Sequence, residues 1–239
     1  MRKTNTTRNA IMAGLFLSAS VGYTAPVTIA DNYIGAIGSG DVIGASFFEV
    51  DHMTVDVVGN SLTVKVFTNF IEGAPGDQGA KYGDLFISNN GWNPSGSAPY
   101  LNDQFGQGET MEFAVRTSNG DIVSGLNPLL SDNFFSAGHR KNQEVRAGAN
   151  AASSGAGTVQ IGSDGTWNVL TYALSLSDIG AGTGYDLGFK WSMTCANDSI
   201  EGGVTDPRTL PNDVPEPGSL ALLGLGLFGL GARRFKKHG

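Results

Sequence analysis

One cysteine, three histidines and few interior cations bound what this 239-residue chain can do. A single Cys195 allows no intramolecular disulfide. A catalytic thiol or zinc centre needs histidine partners, and only His52, His139 and His238 exist. Neither H-E-x-x-H nor C-x-x-C occurs, and there is no G-x-S-x-G elbow. Sustained helical periodicity is also missing. Nearly half of the positive charge lies at the ends. From Tyr23 to Glu216 the chain keeps eight of its 15 Lys and Arg residues against all 22 Asp and Glu, a formal charge near −14. Such a body lacks the basic surface that nucleic acid or anionic lipid requires.

What is present is period-two alternation, the mark of half-buried strands. Met53, Val55 and Val57 alternate with polar residues, then Gly59-Asn60 marks a tight turn, then Leu62, Val64 and Val66 alternate again. Phe113 and Val115 lead to Asn119-Gly120, the dipeptide of type I′ turns, and Ile122 begins a return strand. Val159 and Ile161 run into Asp164-Gly165, followed by Leu170, Tyr172 and Leu174 on one face. The strongest strand signal is Tyr185 to Cys195. Tyr185, Leu187, Phe189, Trp191, Met193 and Cys195 share one face, and Asp186, Gly188, Lys190, Ser192 and Thr194 the other. Cys195 there reads as buried apolar filler. The connections are long enough for Greek-key crossings. The pattern predicts an all-β fold, an antiparallel β-sandwich of jelly-roll or lectin-like type, over residues 23–205. The Ala/Gly/Ser-rich run at residues 147–157 reads as a loop.

The two ends differ from the body. Arg2, Lys3 and Arg8, the apolar run Ala10 to Ala19 and the small residues Ser20-Val21-Gly22 make residues 1–22 a secretory signal peptide. Residues 206–213 read as a polar linker. Residues 214–239 open on Val214-Pro215-Glu216-Pro217, whose prolines impose an extended, non-helical entry. A Leu/Gly-rich run from Leu220 to Ala232 follows, then the cations Arg233, Arg234, Lys236 and Lys237. That run predicts a short hydrophobic helix. It is shorter than the roughly 20 apolar residues that span a bilayer core, and its basic flank belongs on the cytoplasmic side. Gly224 to Gly229 fits G-x-G-x-x-G, but no strand precedes it, so a dinucleotide site is rejected.

The Pro-Glu-Pro box, the apolar run and the terminal basic cluster, in that order, closely resemble the sorting signal of PEP-CTERM proteins. The resemblance implies recognition by exosortase, an integral-membrane cysteine transpeptidase, and export by a Gram-negative bacterium that makes exopolysaccharide. It implies a transient hold in the inner membrane, then delivery to the cell surface or matrix. A permanent tail anchor is the alternative. The body more loosely resembles a recurring ectodomain of these proteins, through Gly83 to Ser88 with Gly91-Trp92, and through Trp191 to Gly202. That likeness carries no activity.

Two stretches of the body are candidates for binding. Trp92, set among Asn and Gly residues, and Tyr100 further along the same loop could stack on sugar rings. Asn197, Asp198 and Glu201 offer oxygen ligands for a structural Ca²⁺, with the adjacent Gly202 and Gly203 permitting tight turns and Asp31, Glu49 or Asp84 as further ligands. No catalytic residue is assigned. Paired carboxylates among Glu49, Glu112, Glu144 and Glu201 are what the alternative, a carbohydrate-active enzyme, would use. The expectation is a non-enzymatic exported protein, structural or polysaccharide-binding.

Overall fold

The computed structural model describes residues 25–32, 46–131 and 142–207. The signal peptide, most of the linker, and the sorting tail with its hydrophobic helix lie outside these residues. Among the described residues no helix is long and apolar enough to cross a membrane.

Among the described residues, thirteen strands form two principal antiparallel sheets and a two-stranded ribbon. The first contains β1 (Val27–Ala30), β2 (Val50–Val58), β3 (Ser61–Thr68), β10 (Thr158–Ser163) and β11 (Asn168–Ser175), in the order β1-β2-β3-β11-β10. The second contains β4 (Leu85–Ser88), β5 (Phe113–Val115), β6 (Asp121–Ser124), β9 (Ala152–Ala156), β12 (Asp186–Ser192) and β13 (Ser199–Thr205), in the order β13-β12-β4-β5-β6-β9. β7 (Leu129–Leu130) and β8 (Glu144–Arg146) form a small ribbon. The chain crosses between sheets after β3, after β9 and after β11, which gives the crossing connections of an antiparallel β-sandwich.

Alternation decides which side chains meet. Met53, Val55, Leu62, Val64, Val66, Leu170 and Tyr172 project from the first sheet. Leu85, Ile87, Leu187, Phe189, Trp191 and Ile200 project from the second into the same core. A polar chain reaches into it: Trp191 Nε1 donates to Tyr172 Oη at 3.0 Å, and Tyr172 Oη lies 2.7 Å from Thr117 Oγ1. Burial pushes the Tyr172 hydroxyl far above its ordinary pKa of 10, so it stays neutral.

Turn chemistry holds in two of three hairpins. Gly59, at φ 62°, takes the first position of the two-residue turn between Val58 and Ser61, as a II′ turn requires. Asp164 Oδ1 accepts the amides of Thr166 and Trp167, closing the β10–β11 turn. The Asn119-Gly120 turn is different. Arg116 and Asp121 face each other, so the loop has four residues, and only Gly120 has a positive φ.

Two further expectations are corrected. Residues 147–157 are not all loop, because Ala152–Ala156 is edge strand β9. Its small residues fit the space: a Cβ at Gly155 would stand 3.0 Å from Asp178 Cβ. Cys195 to Gly203 is not a ligand loop either. Its second half is strand β13, and Gly202 and Gly203 leave room for Ile29 and Trp92 rather than for a turn. Cys195 itself is buried and free, and burial raises its pKa, as expected of filler.

Tyr172→Phe strands the buried Trp191 N–H. The expected cost is about 1–3 kcal/mol in denaturant unfolding; an unchanged midpoint would contradict this arrangement.

Candidate functional site

The second sheet is covered on both faces, and its outer face carries the chemistry. Lys190 sits on β12 opposite Glu201 on β13 and Phe86 on β4. All three point away from the inter-sheet core. A loop layer from residues 89–112 and the β7–β8 ribbon closes over them. Lys190 is 3% exposed. A buried ammonium needs oxygen partners, and two acids supply them: Glu144 Oε2 at 2.8 Å, from β8, and Glu201 Oε2 at 3.1 Å.

The loop layer brings more acid. Glu109 and Asp103 place carboxylate oxygens with one of Glu201, all within 4.8 Å of one another. Backbone donors pin both: Asn93 N donates to Glu109 Oε2 at 3.1 Å and Ser95 N to Asp103 Oδ1 at 2.8 Å. Gly108 packs beneath, where a Cβ would meet Asn93 O at 2.7 Å. Glu201 Oε1 accepts from Trp92 Nε1 at 3.0 Å. Burial, with a hydrogen bond to Glu109 adding to it and Lys190 opposing it, pushes the Glu201 carboxyl up to about 8. It therefore holds a proton at neutral pH.

Trp92 and Tyr100 are brought together. Their rings meet edge to face with centroids 5.4 Å apart. Trp92 lies across Gly203, where a Cβ would come within 2.6 Å of the indole's own Cβ. Tyr100 has φ 61°, a left-handed conformation that costs a bulky residue energy and recurs at ligand sites. Both half-buried rings line a cavity of about 380 Å³ together with Ile29, Asn32, Glu201 and Gly203. That volume falls within the roughly 300–1,000 Å³ of ligand clefts.

The proposed calcium ligands are not brought to one point. Asp198 Oδ2 accepts the Val50 amide at 2.6 Å, while Glu201 turns to Lys190 and Trp92. Asp84 is occupied by the amides of Thr117 and Ala147. Glu201 instead shares oxygen donors with Asp103 and Glu109. A hard cation there would compete with the Glu201 proton and the Lys190 ammonium. Of the other acids, Glu112 caps the turn at Asn89 and Asn90, and the Glu49 carbonyl accepts from Thr68 Oγ1 and the Asn69 amide.

Glu109, Asp103 and Lys190 escaped sequence reasoning. The available signal was Lys190, the one cation within the longest apolar alternation.

A match to known sequence settles the tail. A family described as the PEP-CTERM protein-sorting motif matches residues 213–236. This chain carries a PEP-CTERM sorting signal. The match contains Val214, Pro215, Glu216 and Pro217 and the basic residues Arg233, Arg234 and Lys236. The PEP-CTERM signal supports exosortase-processed export and passage through the membrane. No curated protein and no solved structure matches the chain.

The raised Glu201 sets a pH dependence. Between its ordinary 4.5 and about 8, folded Glu201 keeps a proton that the unfolded chain has lost, so stability falls as pH rises through that window. Each pH unit there is expected to remove about 1.4 kcal/mol, lowering the thermal midpoint by about 3–6 °C. Glu201→Gln mimics the protonated form and flattens the slope. Thermal unfolding from pH 5 to 8.5 checks this, and an equal slope in the variant contradicts it.

Proposed function

We propose that this is an exported protein of the cell surface or extracellular matrix of a Gram-negative bacterium. In this reading the β-sandwich binds polysaccharide without cleaving it. The observation that carries the reading is the Trp92–Tyr100 pair on the wall of the 380 Å³ cavity. An indole fixed by its bond to Glu201 is a pre-set platform, which lowers the ordering cost of binding. Tyr100 adds a second aromatic surface, and Asn32 a hydrogen-bonding edge. The acidic body disfavours polyanions, so a neutral glycan is the fitting ligand.

One observation favours a hydrolase: Glu201 holds a proton beside other carboxylates, as a general acid does. Its environment argues for a structural role. Glu201 is 1% exposed, and its oxygens already serve Trp92 and Lys190.

Affinity electrophoresis through neutral exopolysaccharide from the host separates the readings. The native protein is expected to be retarded without releasing reducing ends. Tyr100→Ala weakens retardation about tenfold, roughly 1.4 kcal/mol, with an unchanged unfolding midpoint. Equal retardation of the variant contradicts the binding site, and released reducing ends make the protein a hydrolase.

A further inference from the structure

β9 and β10 are one run from Ala152 to Ser163, divided only by Gly157, where the chain passes from the second sheet to the first. Each is the last strand of its sheet among the described residues. One side of the sandwich is therefore an edge that no described strand pairs. Sheets ordinarily guard such an edge with lysine, proline or a covering loop. From Ala147 to Ser163 there is no charged residue and no proline. Five of the six residues of β10 are exposed.

The face of β10 is also incomplete. Ile161 and Val159 stand opposite Leu170 and Tyr172, both fully buried, so they belong to the core face. Val159 packs on the core, yet Ile161 is 52% exposed. The edge thus offers free backbone groups and an uncovered apolar side chain.

We propose that β10 is a self-association edge, pairing antiparallel with β10 of a second copy and continuing the first sheet across a two-fold axis. This goes beyond sugar binding and does not depend on it. Two features select a second copy as the occupant. The body carries a formal charge near −14, so identical copies repel over most approaches, and this uncharged stretch lets them meet. The strand is also self-complementary. Face matching across a two-fold axis through Gln160 sets Val159 opposite the second copy's Ile161, and Ile161 opposite its Val159. The core face then continues across the junction. A six-residue edge is small beside the roughly 1,200 Å² of stable interfaces, so pairing depends on high local concentration, as tethering to a surface provides.

Gln160 lies on the axis, which makes the register testable. The full chain carrying Gln160→Cys is expressed in an exporting host, mildly oxidised and run on a non-reducing gel. A disulfide-linked dimer is expected. Thr28→Cys on β1, at the opposite edge, is expected to stay monomeric, as is the native chain, whose Cys195 is 2% exposed. Adding Ile161→Lys to Gln160→Cys removes the dimer band. Gly162→Lys, whose added Cβ meets nothing within 4 Å, does the same should Ile161→Lys fail to fold by protease resistance. No dimer from folded Gln160→Cys, equal dimer from Thr28→Cys, or a dimer that survives both lysines overturns the proposal.

Discussion

A buried ammonium governs this domain. Lys190 stands on the outer face of the second sheet, where an ordinary sandwich would meet water, and it cannot stay there unpaired. Breaking such a pair from one side costs about 3–5 kcal/mol. Glu201 answers from the neighbouring strand and Glu144 from the β7–β8 ribbon. Glu109 and Asp103 follow with the loop that also positions Trp92 and Tyr100. The charge cluster, the loop layer and the aromatic cavity are therefore one construction. The proton on Glu201 belongs to it, because full burial, opposed by the one cation Lys190, disfavours the ionised form of that carboxyl.

The inner core was legible because it obeys one rule. Leu187, Phe189 and Trp191 alternate without exception, and a strand with that pattern has one destination. The outer face was not legible. Gly188, Lys190 and Ser192 are the residues a solvent face would show, and nothing in their sequence reveals a loop layer above them. Gly202 and Gly203 misled for a related reason. Glycine suggests a turn, whereas here it yields space to Ile29 and Trp92 inside a strand. The pairing of Trp92 with Tyr100 was foreseeable from their shared loop. The partnership of Glu201 with Glu109 was not, since long-range proximity of acids leaves no periodic trace.

The chain divides its work between a tail that supplies an address and a body that supplies a surface. The match at residues 213–236 bears on the address alone. The body adds a stiff, acidic sandwich with aromatic residues at one cavity and an uncharged strand at one edge. These two features carry the proposed glycan binding and self-association.

The most direct measurement is the intact mass of the protein recovered from the envelope and medium of its own host. A mass lacking the first 22 or so residues and everything beyond the Pro215–Pro217 box is what export with processing at the sorting signal predicts. A mass that still contains Leu220 to Gly239 would make the tail a retained anchor and contradict the account.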